Sequence, residues 1–504
     1  MSGPVMNARV KKVVVAGRDI AAWLSALTLT QALGRADVAV EVVELPSVLR
    51  EHDIAATLPA MEAFHRLLGL REYELMKAAA GTYSLGQSFA NFTPGAEPFF
   101  HPYGSHGVTM QRVPFMQMYT RARKAGLNTR FEDFSLTAAA AKQGRFFAPT
   151  QDMNGFATSG FGYHLRARAY ADHLKARAIR EGAVHTPARR FEARRHAETG
   201  DVTALVLGDG REVTGDVFID ASGTEAALLG AVMDVAYQDW SDHFAGNSTL
   251  SVSSAPLRSQ PAWSQVRALK HGYLTLAPLQ TATSLVLTYN DRLVDDATAL
   301  RSVAIVAGMT LNDDAVVGRQ VAGRRAEAWA GNVIAIGEAA CLPEGLDNVA
   351  LHVAQLGLVQ LVSLFPAGRD MAAERGEYNA NMARALERLR DFQLSHYKLN
   401  RLFDAPFFAP SLDRPAPALL AHKIEMFRAR GIVPMYDDES FDLDSWQSVF
   451  LGHGLLPDGY DPRADLMPDD QAVRNFQLVL GRIKAFVQDM DSHEAFIETH
   501  CAAV

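Results

Sequence analysis

The chain has 504 residues, of which 48% are hydrophobic and 21% charged, and its formal net charge is −8. This length exceeds what one hydrophobic core usually supports, so we expect two or more domains, or one domain with large insertions. The negative charge argues against nucleic acid or an anionic membrane surface as the main partner, and no run of 18 apolar residues exists that would span a membrane.

The amino-terminal pattern predicts a dinucleotide-binding unit. Val10–Ala16 has the composition of a buried strand, Gly17 opens a turn, and Ile20–Leu33 is an apolar helical stretch. A second strand over Val38–Val43 ends at Glu44, about 27 residues after that glycine. Many α/β proteins share this outline, so by itself it is a weak signal.

The remaining elements follow in a mixed order. We predict a helix over Ala60–Leu68, short strands from 81 to about 150, a helix over Tyr163–Glu181 and a hairpin turning at 208–210. A buried strand over 216–223 follows, then strands over about 235–310 and a strand over Val333–Ile336. Two further helices are predicted over Leu351–Phe365 and 376–402. Prolines at 406, 410, 415 and 417 then indicate a packed C-terminal extension with short helices.

Two later segments complete a flavoprotein scheme. Asp220-Ala-Ser-Gly223 resembles the strand end that follows the β-hairpin in aromatic-hydroxylase-like flavoproteins. Gly337-Glu338-Ala339-Ala340 resembles their Gly-Asp-Ala-Ala element, in which the acid meets the ribityl chain of FAD and a helix start faces the pyrophosphate. Together with the amino-terminal unit they form a far more specific signal than any one segment.

Further blocks narrow the resemblance to one family. They are Gly323-Arg-Arg, Trp329-Ala-Gly-Asn332, His352-Val-Ala-Gln355, Glu377-Tyr-Asn379, Arg390-Asp-Phe392, His396-Tyr-Lys398, Asp404-Ala-Pro-Phe-Phe408, Ser445-Trp446 and Gly452-His-Gly454. In this order, over about residues 10 to 465, they are similar to the blocks of flavin-dependent tryptophan halogenases. The chain is identified as a divergent member of that family.

The resemblance implies an α/β (α+β) fold. It consists of a discontinuous FAD-binding Rossmann-like domain of hydroxylase type over 10–80, 155–235 and 320–375, a β-rich insertion over 81–154 and 236–319, and a mostly helical C-terminal domain over 376–504. In the family, a separate flavin reductase supplies reduced flavin, which reacts with oxygen and halide. A lysine then relays hypohalous acid to an aromatic substrate, commonly tryptophan.

The phosphate-binding loop departs from the family's Gly-x-Gly-x-x-Gly. Ala22 in the third glycine position is harmless, because alanine is tolerated there. Asp19 in the second position puts a side chain and a negative charge where backbone should approach the pyrophosphate. Arg18 offsets part of this charge if it turns inward. In the alternative that we favour, Asp19 caps the helix and its carboxylate occupies the pyrophosphate site itself.

The other functional loops of the family are altered as well. The flavin strap falls on His52-Asp-Ile54-Ala-Ala-Thr57, and the catalytic lysine falls on Ser84, which has no charge and cannot form a chloramine. The Trp-x-Trp pair falls on Tyr273 and Thr275, and the family glutamate near the halide falls on Asp347. These changes predict that the chain cannot halogenate.

The cofactor-binding residues implied by the resemblance are Gly17, Asp19, Ala22, Glu44, Asp220, Gly223, Gly337, Glu338, Ala339 and Ala340. Glu44 is either a ribose ligand or a turn cap, and Glu338 either meets a ribityl chain or caps a helix start. Trp446 is either on the substrate side or a packing residue. His352 and His396 are interpreted as architecture.

The sequence carries no metal-ligand spacing, no nucleophile elbow and no catalytic triad motif. Cys341 and Cys501 do not make a disulfide framework, and the amino-terminal MSGPVMNARVKK lacks the apolar core of a signal peptide. We therefore expect a cytoplasmic protein.

Two functional hypotheses remain. In the favoured one, productive FAD binding is lost, and the chain is a non-catalytic partner of an active homologue or a binding protein for a small aromatic ligand. In the alternative, FAD still binds weakly or in a changed pose, and the chain catalyses another flavin reaction on an aromatic, tryptophan-like substrate, as a monooxygenase, an oxidase or an atypical halogenase, with a flavin reductase as partner.

Overall fold

The computed structural model describes residues 9–149 and 159–503. Residues 1–8 of the amino-terminal segment and the predicted domain boundary at 154/155 lie outside these ranges. Strands in the described residues are β1 (Lys12–Gly17), β2 (Ala39–Glu44), β3 (Ile54–Ala56), β4 (Thr82–Ser84), β5 (Gly86–Ala90), β6 (Phe99–Pro102), β7 (Gly162–Arg166), β8 (Val184–Pro187), β9 (Phe191–Arg195), β10 (Val202–Leu207), β11 (Glu212–Thr214), β12 (Val217–Ala221), β13 (Tyr237–Asp239), β14 (Ser248–Ser254), β15 (Ser264–Leu269), β16 (Gly272–Pro278), β17 (Thr283–Tyr289), β18 (Val316–Arg319), β19 (Gly323–Arg325), β20 (Trp329–Ala330), β21 (Val333–Ala335) and β22 (Cys341–Leu342).

Helices in the same residues are α1 (Asp19–Leu33), α2 (Ala60–Leu67), α3 (Glu72–Ala78), α4 (Phe115–Lys124), α5 (Leu136–Lys142), α6 (Ala167–Arg180), α7 (Asp296–Ala307), α8 (Ala350–Ser363), α9 (Ala372–Lys398), α10 (Ala409–Asp413), α11 (Ala418–Arg430), α12 (Leu443–Gly452), α13 (Asp469–Gln488) and α14 (His493–His500). They alternate with strands early in the chain and follow one another at its end. The predicted mixed α/β class is confirmed.

The chain divides into two compact units. Unit 1 comprises the described residues of Met1–Ala79, Leu165–Trp240 and Val321–Glu387, and unit 2 comprises those of Ala80–His164, Ser241–Gln320 and Arg388–Val504. The predicted β-rich insertion and most of the predicted C-terminal domain thus fall within one unit.

Unit 1 is built on a six-stranded sheet in the order β20-β21-β12-β1-β2-β8. All neighbours are parallel except β20 and β21. The inner strands β1 and β12 are buried almost throughout, as expected for a parallel sheet covered on both faces. The helix α1 contacts both the sheet and α6, which explains its apolar residues on nearly every face. The prediction that four strands from three parts of the chain share one sheet is confirmed.

Unit 2 contains a seven-stranded sheet in the order β18-β14-β17-β16-β15-β5-β6. Its neighbours are antiparallel except β15 and β5. Leu250, Leu274 and Leu285 form a core with Ala299 and Val303 of α7.

One predicted helix begins too early. Tyr163–Glu181 was expected to be helical throughout, but Gly162–Arg166 is the strand β7 and the helix α6 begins only at Ala167. Tyr163 and His164 pair with β4 in an antiparallel register, and this long-range pairing outweighs the local helical pattern. In the region 81–149, the helices α4 and α5 also replace strands that the composition predicted.

Candidate functional site

Three chain segments of unit 1 meet at the carboxyl edge of its sheet. Gly17 pairs with Ala221, and Asp220 pairs with Ala335. The turns that follow β1, β12 and β21 therefore start side by side, which is where ligands bind in open parallel sheets. A Cβ on Gly17 would lie 2.2 Å from the Ala221 carbonyl oxygen, so only glycine permits this close approach of two strands.

Two glycines shape the edge. Gly223 has a φ of +82° and Gly337 a φ of +67°, both in the left-handed region that favours glycine. A Cβ on Gly223 would lie 3.9 Å from Glu338 Oε2, which places these two turns against each other. The predicted alanines Ala22, Ala339 and Ala340 are buried beneath the edge, where they pack and do not present polar groups.

Asp19 does not cap α1 through its side chain. The helix begins at Asp19 itself, and the cap residue Arg18 makes no side-chain cap hydrogen bond. Asp19 has a left-handed φ of +58°, and its carboxylate accepts a hydrogen bond from the Val48 N–H at 3.1 Å. The capping hypothesis is wrong, because this carboxylate bonds to the loop after β2 and not to the first amides of the helix.

The inward turn of Arg18 is also not observed. Its guanidinium pairs with Glu225, with Nη2 3.0 Å from Oε2. Arg18 is therefore not a partner that offsets the negative charge of the Asp19 carboxylate, as the sequence analysis considered.

Glu338 is a second acidic group at this edge. The residue as a whole is exposed. Partial desolvation of its carboxyl by neighbouring protein atoms, together with the charge of Asp19, raises the pKa of Glu338. The two carboxyl groups thus interact repulsively.

The Glu44 side chain has three partners in unit 1, so it is not a simple turn cap, and its role as a ribose ligand stays a prediction. Its Oε1 accepts from the Trp23 indole at 2.9 Å, and its Oε2 lies 2.7 Å from both Lys175 Nζ and His185 Nε2. Partial burial acts to raise its pKa, but the hydrogen bonds from Lys175, Trp23 and His185 together lower it. Lys175 and His185 were missed from the sequence because no spacing rule connects residues 131 and 141 positions away from Glu44.

Asp220 supports the edge from below. Its carboxylate is fully buried and accepts hydrogen bonds from the Ser222 N–H and hydroxyl and from the N–H groups of Leu228 and Leu229. Burial raises its pKa in spite of these bonds. Asp220 therefore holds the turn around Gly223 and does not face a ligand.

Asp347 is buried in the loop before α8. It and Asn348 both adopt left-handed φ values, of +62° and +56°. Ile54, in the segment that aligns with the flavin strap, lies at the start of β3.

The predicted residues of unit 2 are interior. Ser84 is completely buried in β4, and its hydroxyl donates to the Gly86 carbonyl at 3.1 Å. Tyr273 is also completely buried, in β16.

Trp446 does not line an open surface. Its ring is fully buried, its indole N–H donates to Glu439 at 3.1 Å, and Lys423 Nζ lies 4.7 Å from the ring centroid. These contacts favour the packing interpretation, and the substrate-side assignment stays a prediction.

Other kinds of site find little support. Over residues 9–149 and 159–503, no group of three or more His, Cys, Asp and Glu side chains is arranged to hold a metal ion. Within the same ranges, no helix is long and apolar enough to cross a membrane. Both cysteines are buried.

The site fits FAD in its backbone and not in its charge. The converging turns and left-handed glycines form the frame that a dinucleotide needs at a sheet edge. Asp19 adds a side chain to the turn after β1, with its carboxylate directed to the Val48 N–H, and the Glu44 carboxylate already accepts from Lys175 and His185.

Comparisons with known proteins agree with the fold. The family model described as tryptophan halogenase matches residues 12–469. Tryptophan 7-halogenase KtzQ of Kutzneria sp. (strain 744) is 26% identical, over 97% of this chain and 98% of its own. Xcc4156, a flavin-dependent halogenase from Xanthomonas campestris, superposes with a TM-score of 0.94 at 29% identity, over 98% of this chain and 99% of its own. BrvH, a flavin-dependent halogenase from Brevundimonas sp. BAL3, superposes with a TM-score of 0.93 at 30% identity and the same coverage. The chain belongs to the tryptophan halogenase family.

Proposed function

We propose that this family member does not halogenate, is impaired in FAD binding, and acts as a non-catalytic partner of an active homologue or as a binding protein for a small aromatic ligand. The observation that carries the proposal is Ser84 at the position of the family's catalytic lysine. A buried hydroxyl that donates to the Gly86 carbonyl holds no positive charge and no amine to react with hypohalous acid. We place the protein in the cytoplasm, since two cysteines in 504 residues do not make a disulfide framework.

The charge at the sheet edge of unit 1 supports the second part of the proposal. One carboxylate about 4 Å from a phosphate charge costs about 1 kcal/mol in water-like surroundings and about 4 kcal/mol at an effective dielectric constant of 20. Asp19 brings such a charge to the loop after β1, and Glu338 lies close enough for the two carboxyl groups to repel each other.

The halogenation assay tests the proposal directly. We expect no chlorinated or brominated tryptophan when the protein is supplied with FAD, a flavin reductase, NADH and halide, because the serine at position 84 cannot relay the halogen. Mass spectrometry of the product mixture provides the measurement, with the tryptophan 7-halogenase KtzQ as the positive control for the reductase system.

A single substitution tests whether the missing lysine is the only reason for the lack of activity. Ser84→Lys alone is expected to remain inactive, because the acidic sheet edge still disfavours flavin. Halogenated product from the natural chain above a no-enzyme control would contradict the proposal, and product from Ser84→Lys alone would show that the flavin site is intact.

A second candidate is a flavin enzyme with different chemistry, a monooxygenase, an oxidase or an atypical halogenase for an aromatic, tryptophan-like substrate. The retained backbone frame of Gly17, Gly223 and Gly337 favours it. A purified protein that is yellow, and that consumes oxygen when a flavin reductase supplies reduced flavin, would favour this candidate over the first.

A further inference from the structure

A serine, a histidine and an aspartate of unit 2 form a hydrogen-bonded chain. Ser448 Oγ lies 3.2 Å from His106 Nε2, and His106 Nδ1 lies 3.1 Å from Asp444 Oδ1. Asp444 and Ser448 are four residues apart in α12, so they share one face of that helix. This set is called the Ser448 triad below.

The tautomer of the histidine follows from its partners. Asp444 Oδ1 also accepts the backbone N–H of His106 at 2.9 Å, so the carboxylate collects two donors from one residue. An ionised carboxylate only accepts hydrogen bonds, and His106 Nδ1 must therefore carry the proton when the ring is neutral. The lone pair of Nε2 then faces the Ser448 hydroxyl, which is the arrangement of nucleophile, base and orienting acid.

The histidine ring is held in place. His106 is buried and stacks on Phe131, with ring centroids 4.2 Å apart and an angle of 17° between the planes. The Asp444 side chain remains 29% exposed, so the ion pair is not sealed from water. The triad is therefore fixed without a fully buried charge.

A cavity opens beside the nucleophile. Ser448 lines a cavity of about 190 Å³ together with Phe100, Phe131 and Leu456. Arg123, Asn128, Arg130 and Glu132 line the same cavity, and the Glu132 carboxylate is paired with Arg130 and Lys142. The aromatic part of the wall suits a small aryl group, and the guanidinium and amide groups of the lining suit an oxyanion that develops from a carbonyl.

We infer that the Ser448 triad is an acyl-transfer centre that hydrolyses small esters of aromatic alcohols. This site lies within unit 2 and does not depend on the proposed function, which concerns the position of the halogenase lysine and the sheet edge of unit 1.

The reaction balances with water as the only co-reactant. Ser448 Oγ bonds to the ester carbonyl carbon while His106 Nε2 takes the hydroxyl proton. The bond from that carbon to the alcohol oxygen breaks, and His106 returns the proton to the departing alcohol. Water then attacks the acyl-serine with His106 as base, which releases the carboxylic acid and restores the serine. Asp444 is a positioning residue that holds the productive tautomer.

Covalent labelling tests the nucleophile. An alkyl fluorophosphonate is expected to add one group to the intact protein, on the peptide that contains Ser448, as measured by mass spectrometry. Ser448→Ala and His106→Phe should lose the label, and the second variant keeps the aromatic stacking on Phe131. Ser445→Ala, on the same helix and outside the triad, should label like the natural chain.

Hydrolysis of 4-nitrophenyl acetate tests turnover. Ser448→Ala is expected to lower kcat/KM at least about 100-fold, and Asp444→Asn to lower kcat at least about tenfold with little change in KM, because the tautomer is lost while the cavity remains. Thermal melts of all variants report whether the fold is kept. Absence of label at Ser448, or equal hydrolysis by folded Ser448→Ala, would overturn the inference and leave the triad a structural tie between α12 and the loop at 106.

Discussion

Replacing Asp19 with glycine is expected to tighten FAD binding about five- to several-hundredfold. The variant removes a negative charge from the turn after β1, which is worth about 1 to 4 kcal/mol for a phosphate charge about 4 Å away. It also restores the residue type that lets backbone approach a phosphate. Quenching of flavin fluorescence during titration measures the affinity of both proteins.

The structure changes the expectation for stability. If Asp19 capped α1, its loss would destabilise the unliganded chain, but its carboxylate bonds to the Val48 N–H and its φ is +58°. Glycine relieves about 1 kcal/mol of left-handed strain, while the lost hydrogen bond costs about 1 kcal/mol. We therefore expect the melting temperature of Asp19→Gly to stay close to that of the natural chain.

A matched control is present in the turn between α1 and β2. Asp37 also has a left-handed φ, of +59°, and its side chain is exposed beside Lys11. Asp37→Gly should leave FAD affinity unchanged. Equal affinities for all three proteins would show that Asp19 does not obstruct flavin, and tight binding by the natural chain would refute the proposed impairment.

Acid is expected to unfold the protein steeply below pH 6.5. Burial lowers the pKa of His65 and His164 to about 3 and that of His352 and His493 to about 4, and it lowers the pKa of His453 well below the usual value. These rings are neutral in the folded chain and protonated in the unfolded chain. The unfolded state then binds more protons, so stability falls as pH falls.

The size of the effect follows from the shifts. Each histidine costs about 1.4 kcal/mol for every pH unit below 6.5, until its own folded pKa is reached. At pH 5 this amounts to about 2 kcal/mol for each ring, against a typical total stability of about 5 to 15 kcal/mol. Asp220 and Glu338 act in the opposite direction, since their pKa values are raised and protonation relieves the cost, but they are two groups against five.

Thermal melts at constant ionic strength, between about pH 7.5 and pH 5, measure this dependence. This range spans the ordinary pKa of histidine in the unfolded chain, about 6.5. His65→Phe should lower the number of protons taken up on unfolding by about one, because phenylalanine has no imidazole to protonate. The phenyl ring can keep the contact with Tyr170. His422→Asn is the control, because that ring is exposed. Melting temperatures that stay constant from pH 7 to pH 5 would contradict the prediction.

The strands that frame unit 1 could be predicted from the sequence. Buried β-branched runs ending at Gly17, Glu44, Gly223 and Gly337 predicted four strands of one sheet, and the structure confirms this. Such runs are readable because burial on both faces of a parallel sheet demands apolar residues at every position. The family blocks could be recognised for a different reason, because their residue types occur along the chain in the same order as in the family.

Only the tertiary structure decided what the polar side chains do. Whether Asp19 caps a helix, whether Glu44 is free for a ribose and whether Trp446 faces a substrate all depend on partners that folding brings from distant positions. The Ser448 triad is the extreme case, because His106 and Ser448 are 342 positions apart and match no local motif. Hydrogen bonds of this kind have no periodicity along the chain, so their geometry exists only after the strands and helices have packed.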